Sequence, residues 1–158
     1  MKELQFLIDN NIKDKGEYQL TNALENMKQK GKIFSIGTVD EWLDCGNKDA
    51  TVYTNQRVLE HNKNTRMVNE NLDLINSEII EPCYIANGIT IKNSKIGPHV
   101  SIDSGSIIED SEISNSIIQS KSTIKNAKLK NSMVGNHTFF DGHKVDQEIS
   151  IGDFCEIR

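Results

Sequence analysis

The chain has 158 residues, of which 36% are hydrophobic, 26% charged and 6% aromatic, a balance that fits a folded globular protein and excludes a disordered one. Eighteen Lys plus Arg against 23 Asp plus Glu leave a net charge of −5, which gives no electrostatic footprint for nucleic acid or for an anionic membrane surface. No apolar run can span a bilayer, no basic-then-apolar leader follows Met1, and Cys45, Cys83 and Cys155 have neither the number nor the spacing of a disulfide framework or zinc site, so a cytoplasmic chain with reduced thiols is expected.

Leu4, Leu7, Ile8 and Asn11 lie one helical turn apart and predict a first helix; Leu20, Leu24 and Met27 predict a second, ending before Gly31, with Thr21 as its N-cap. Residues 32–38 (KIFSIGT) suit a strand. A third helix is expected to start at Asn47, with Asp49 in its first turn, and to run towards Leu59. This is too little material for a complete doubly wound sheet. The polar, Asn-rich stretch from His61 to Asp73 reads as a linker.

Beyond it the composition changes. Residues 1–74 hold 4 Ile, 8 Leu and 1 Ser, whereas residues 75–158 hold 17 Ile, 1 Leu and 12 Ser, a shift from helix-forming sequence to many short strands. Three aliphatic columns run through this half: Ile85, Ile102, Ile118 and Val134; Ile91, Ile108 and Ile124; Ile96, Ile113 and Leu129. Each column steps by 16 or 17 residues, and neighbouring columns are 5 or 6 apart, so each turn of the repeat has three short strands with one inward aliphatic residue apiece. That is a triangular prism. Small or turn-forming pairs precede these positions, as in Asn93-Ser94, Asp110-Ser111, Asn115-Ser116, Asn126-Ala127 and Asn131-Ser132, where tight corners need residues that tolerate left-handed backbone. Residues 136–148 (NHTFFDGHKVDQE) break the period and are expected to protrude as a loop before a last coil beginning near Ile149.

The columns, with IGPHVS at 96–101 and IGDFCE at 151–156, resemble the hexapeptide repeat of left-handed parallel β-helices. Upstream, Gly16-Glu17-Tyr18-Gln19-Leu20-Thr21 and Trp42-Leu43-Asp44-Cys45-Gly46 resemble, in order and spacing, the end of the catalytic domain of sugar-1-phosphate nucleotidyltransferases, particularly glucose-1-phosphate thymidylyltransferase-like enzymes with a C-terminal β-helix. The resemblance implies an α+β chain: residues 1–62 a helical and strand portion of the catalytic domain, 63–78 a linker and 79–158 the left-handed β-helix. It implies that Glu17 accepts hydrogen bonds from sugar hydroxyls and that Asp44 is one of two carboxylates holding Mg²⁺ against the phosphates, roles that suit an acceptor and a hard-cation ligand. Gly46 would allow a close turn, and Trp42 would pack the loop against the sheet. The sequence departs from the family at Asn22, where Asp is usual, and at Cys45, where Thr is common in the shorter relatives.

A larger departure is that nothing in the sequence resembles the family's Gly-rich nucleotide loop, since Gly16, Gly31 and Gly37 are isolated. The resemblance therefore implies the C-terminal part of a longer enzyme, through truncation, a split gene or a start placed at Met1. Sugar 1-phosphate and nucleoside triphosphate would be substrates of the whole enzyme, this chain would not be active alone, and the β-helix would serve oligomerisation, as a trimer first and a dimer next. Without the resemblance Glu17 reads as a solvated acid and Asp44 as a turn residue. Two other classes remain open: a hexapeptide-repeat acyltransferase using a histidine base, with His99 in a hexad and His137 at the loop as candidates beside His61 and His143, and a purely structural oligomerisation module.

Overall fold

The computed structural model describes residues 2–70 and 72–158, which fall into two compact units, one ending at Trp42 and the other running Leu43–Arg158. Among these residues no helix is long and apolar enough to cross a membrane.

The first unit is built on α1 (Lys2–Asp9) and α2 (Leu20–Gln29), which pack together through the buried Leu7 and Ala23. An ion pair from Lys30 Nζ to Glu3 Oε2 at 2.8 Å ties the end of α2 to the start of α1. The N-cap of α2 is Gln19, with extended backbone and no side-chain cap, rather than Thr21; the helix starts at Leu20 and takes the threonine into its first turn. The expected strand over 32–38 does not form. Its Ile33 and Ile36 are almost completely exposed. An extended segment becomes a strand only when a neighbour accepts its amides, and the described residues of this unit hold no sheet edge to do so.

The second unit is a left-handed parallel β-helix of about five turns, with α3 (Lys48–His61) against one side. Three parallel sheets form the faces. One orders strands Asp73–Ile75, Thr90–Lys92, Ile107–Glu109, Thr123–Lys125, Phe139–Asp141 and Glu156–Ile157; the others start at Glu78–Ile79 and Cys83–Ile85 and have five strands each. Strand Asp73–Ile75 thus lies within the stretch expected to be linker, and Glu78–Ile79 straddles its end. Register confirms all three columns: Ile85, Ile102, Ile118 and Val134 stack, as do Ile91, Ile108 and Ile124, and Ile96, Ile113 and Leu129. These side chains are at most 2% exposed and form one continuous core.

The corners follow the sequence closely. Asn93, Asp110, Asn115, Asn126 and Asn131 adopt left-handed backbone, with φ between +42° and +52°. Asn and Asp carry this conformation at lower cost than other side chains. The serines that follow are buried, and each hydroxyl joins two coils. Ser111 Oγ donates to the Glu109 carbonyl at 2.7 Å and accepts the Ala127 amide at 3.0 Å; Ser94, Ser116 and Ser132 do the same with their own neighbours. The corner amides are therefore satisfied by side chains of the preceding coil.

Residues 136–148 do not protrude. Strand Phe139–Asp141 pairs with Thr123–Lys125, placing Phe140 beneath Ile124, and Asp146–Gln147 pairs with Lys128–Leu129. The period breaks because the step from Leu129 to Gln147 is 18, and the extra residues fit at a corner where His143 and Lys144 are both left-handed. Gly142 permits the tight path: a Cβ there would lie 2.8 Å from Ala127 Cα. The loop reading failed because a lengthened corner hides a strand whose pairing is otherwise regular.

Outward residues on two faces stack with alternating charge, as in Glu78–Lys95 at 3.3 Å and Lys125–Glu109 at 2.8 Å. Lys125, and more weakly Lys92, hold the Glu109 carboxyl below its usual range. Such exposed pairs are screened by solvent and add little to stability.

Candidate functional site

Glu17 closes a tight hairpin in the first unit. Asp14 and Glu17 exchange backbone hydrogen bonds of 2.9 and 3.0 Å across Lys15 and Gly16, whose φ values are +51° and +86°. Two consecutive left-handed residues are what a two-residue turn of this hand demands, and glycine meets that demand without strain. The Glu17 side chain is exposed, with Oε2 accepting from Gln19 Nε2 at 3.3 Å. The neighbouring Tyr18 hydroxyl donates to Asn11 Oδ1 at 3.0 Å, and Lys13 Nζ lies 4.9 Å from the Tyr18 ring centre.

Asp44 belongs to the second unit, in the loop that leads into α3. Its Oδ1 accepts the Cys45 amide at 2.7 Å, which sets the carboxylate's orientation, and its own carbonyl accepts from Thr54 Oγ1 at 2.7 Å. The Cys45 carbonyl accepts from Thr51 Oγ1 at 3.3 Å. Asn47 caps the helix as expected, its side chain accepting the Ala50 amide at 2.9 Å. Gly46 has ordinary backbone, and a Cβ there would meet the Asp44 carboxylate at a normal 3.5 Å, so the turn does not depend on glycine. Trp42 is 82% exposed.

A metal would find one carboxylate here. Among the described residues no group of three or more His, Cys, Asp or Glu could hold an ion. The exposed Asp44 suits a hard cation as a single oxygen ligand, the mode in which Mg²⁺ is held by one or two carboxylates together with phosphate oxygens and water. The remaining ligands would come from those sources or from another segment.

The helix that carries this loop is fixed to the prism by contacts the sequence did not reveal, several of them through residues it did not single out. Val52 and Leu59 are buried. Lys48 Nζ donates to the Asn131 carbonyl at 3.2 Å and pairs with Glu148, 100 residues away. Asn55 accepts from Ser101 Oγ at 2.6 Å, and Glu60 Oε1 lies 2.6 Å from His99 Nε2, a bond that holds the Glu60 carboxyl below its ordinary value. Lys48, hydrogen-bonded first to Asp49 and then to Glu148, is pushed up, and Glu148 is correspondingly lowered. The 4–3–4 spacing of Lys48, Val52, Asn55 and Leu59 was the readable signal, although the partner strands were not. His99, weighed as a catalytic base, is taken up in this contact, while His137 stacks on Phe154 with ring centres 5.0 Å apart.

No protein-family model matches the chain. It is 27% identical to the bifunctional protein GlmU of Limosilactobacillus reuteri over 90% of its length, and 28% identical to the glucose-1-phosphate thymidylyltransferase of Streptomyces griseus over 78%. Matches of that extent cannot be confined to the repeats, because residues 73–158 make up only about half of the chain. The chain is a homologue of GlmU and glucose-1-phosphate thymidylyltransferase. A second GlmU, from Latilactobacillus sakei, is 27% identical over 90% of the chain. The chain spans 34–39% of the length of these curated relatives. Homology with a thymidylyltransferase agrees with the sugar-1-phosphate nucleotidyltransferase resemblance carried by the Gly16–Thr21 and Trp42–Gly46 motifs.

Proposed function

We propose that the chain forms the C-terminal part of a sugar-1-phosphate nucleotidyltransferase, with Glu17 contacting sugar hydroxyls, Asp44 serving as one Mg²⁺ ligand and the β-helix driving oligomerisation. The observation that carries this reading is the ordered pair of motifs ahead of a parallel β-helix in a homologue of glucose-1-phosphate thymidylyltransferase. In the whole enzyme, sugar-1-phosphate oxygen attacks the α-phosphate of a nucleoside triphosphate and pyrophosphate leaves. Glu17, exposed on a rigid turn, offers acceptors to hydroxyl donors. Asp44 offers an oriented oxygen to the cation, which when bound neutralises charge on the phosphates.

The chain supplies only part of that machinery. A triphosphate needs convergent amide donors and a basic clamp, and neither is recognisable in the sequence around Asp44, where Asp40, Glu41 and Asp49 add negative charge. The exposed Ile33, Phe34, Ile36 and Val39 support a covering segment in the longer protein. Calorimetric titration of this chain with thymidine or uridine triphosphate plus Mg²⁺ is expected to give no saturable heat, and pyrophosphate release with glucose 1-phosphate should stay at background. Micromolar binding that vanishes in Asp44→Asn would overturn the partial-site reading. Light scattering is expected to show a trimer, or failing that a dimer; a monomer at micromolar concentration removes the oligomerisation role.

A further inference from the structure

Resting on the reading of Asp44 as a metal ligand, we propose that the β-helix also positions that carboxylate, through α3, with Thr54 as an inner clasp and the Lys48–Glu148 pair as an outer one. The helix has two working stripes. Lys48, Val52, Asn55 and Leu59 face the prism, where two side chains are buried and two are hydrogen-bonded to other coils. Thr51 and Thr54, three residues apart, face the Asp44 loop: Thr54 Oγ1 donates to the Asp44 carbonyl at 2.7 Å, while Thr51 Oγ1 donates to the Asn47 carbonyl at 2.8 Å, with the Cys45 carbonyl farther off at 3.3 Å. The loop is thereby folded back along the first two turns of a helix that cannot slide without breaking its contacts with strands Val100–Ile102 and Ser116–Ile118.

The clasp matters because Asp44 is exposed and held by few contacts of its own. A surface carboxylate on a free loop samples many orientations, and a ligand displaced by about 1 Å forfeits much of its catalytic value. Here the carbonyl of the same residue is pinned at 2.7 Å by Thr54, and the carboxylate is pinned by the next amide. Thr54, Lys48 and Glu148 are positioning residues in this scheme and touch no substrate. The prism's last coils, which carry Glu148, so reach the metal loop across 100 residues of sequence.

The test uses the intact chain, ¹⁵N-labelled, with two readouts: amide exchange at Cys45, and line broadening of the Cys45 and Gly46 amides on titration with Mn²⁺. Thr54→Val removes one hydroxyl without changing shape and is expected to speed exchange at Cys45 about fivefold, the loss of one ordinary hydrogen bond. It should also move the Mn²⁺ response to severalfold higher metal, while strand amides at Val100–Ile102 keep their protection. Thr54→Ser should restore both values, and Lys48→Met should reproduce the Thr54→Val effects from the outer side. Wild-type exchange and Mn²⁺ response in both Thr54→Val and Lys48→Met overturn the proposal. Broadening that is absent in the parent, or that persists in Asp44→Asn, overturns the metal reading instead, since the exchange arm reads the clasp without any metal.

Discussion

Two adjacent isoleucines offer a direct measure of how the prism is held together. Ile108 is fully buried in its column, whereas Ile107, the preceding residue of the same strand, faces outward and is 38% exposed. Truncation to Ala removes three carbons at either site. At Ile108 the transfer contribution is about 2.4 kcal/mol at roughly 0.8 per methylene. The cavity left between Ile91 and Ile124, which cannot close because the coils are spaced by backbone hydrogen bonds, raises the total to about 3–4 kcal/mol. At Ile107 no cavity forms and the loss should be about 1 kcal/mol or less. With a urea m-value of about 2 kcal/mol/M, Ile108→Ala should lower the midpoint by about 1.5–2 M and Ile107→Ala by about 0.5 M or less. Urea titrations followed by far-UV circular dichroism make the comparison, and equal midpoint shifts for the two variants would refute the inward assignment of the column.

Ser111→Ala leaves the Ala127 amide buried without an acceptor and should cost about 1–3 kcal/mol, whereas Ser114→Ala, on the outer surface, should be near neutral in the same titration. Glu60, Glu109 and Glu148 all titrate below the usual 4.5 because of His99, Lys125 and Lys48 respectively. Their stabilising contribution is complete above the unfolded value and is lost as pH falls through the lower folded values, so Tm should drop as pH is lowered below 4.5, and the drop should be shallower in Glu60→Gln plus Glu148→Gln. A Tm that is flat over that window contradicts the pairing. Burial pushes the Cys83 thiol up to about 11, and its Sγ lies 3.1 Å from the Ile80 carbonyl. Iodoacetamide at pH 8 should therefore alkylate the exposed Cys45 first and reach Cys83 only on unfolding, as mass spectrometry of the digested protein would show.

The prism was legible because each of its physical requirements leaves a mark at fixed spacing: an aliphatic residue every 16 or 17 positions for the core, and Asn or Asp before a small residue for each left-handed corner. The Leu129-to-Gln147 step escaped because periodicity is blind to an insertion that is absorbed by Gly142, His143 and Lys144 without loss of pairing. The strand expected over 32–38 escaped in the opposite sense, since β-propensity records what a segment can pair with and not whether a partner exists. At the candidate site, the residue types and order of Glu17 and Asp44 were readable, while Thr54 and Glu148 were not. A threonine inside a helix and a glutamate at a coil's end carry no local signature of the carbonyl and the ammonium they hold.

The corner serines have a polarity. Each hydroxyl gives its proton to a carbonyl and accepts an amide from the next coil towards the C-terminus: Ser77 from Ser94, Ser94 from Ser111, Ser106 from Ser122 and Ser122 from Thr138. Each coil thus presents a row of acceptors to the coil that follows it in sequence. At one corner the row stops at Ala127, which has no hydroxyl to offer, and it is there that the following coil takes its longer path through Gly142 and Lys144.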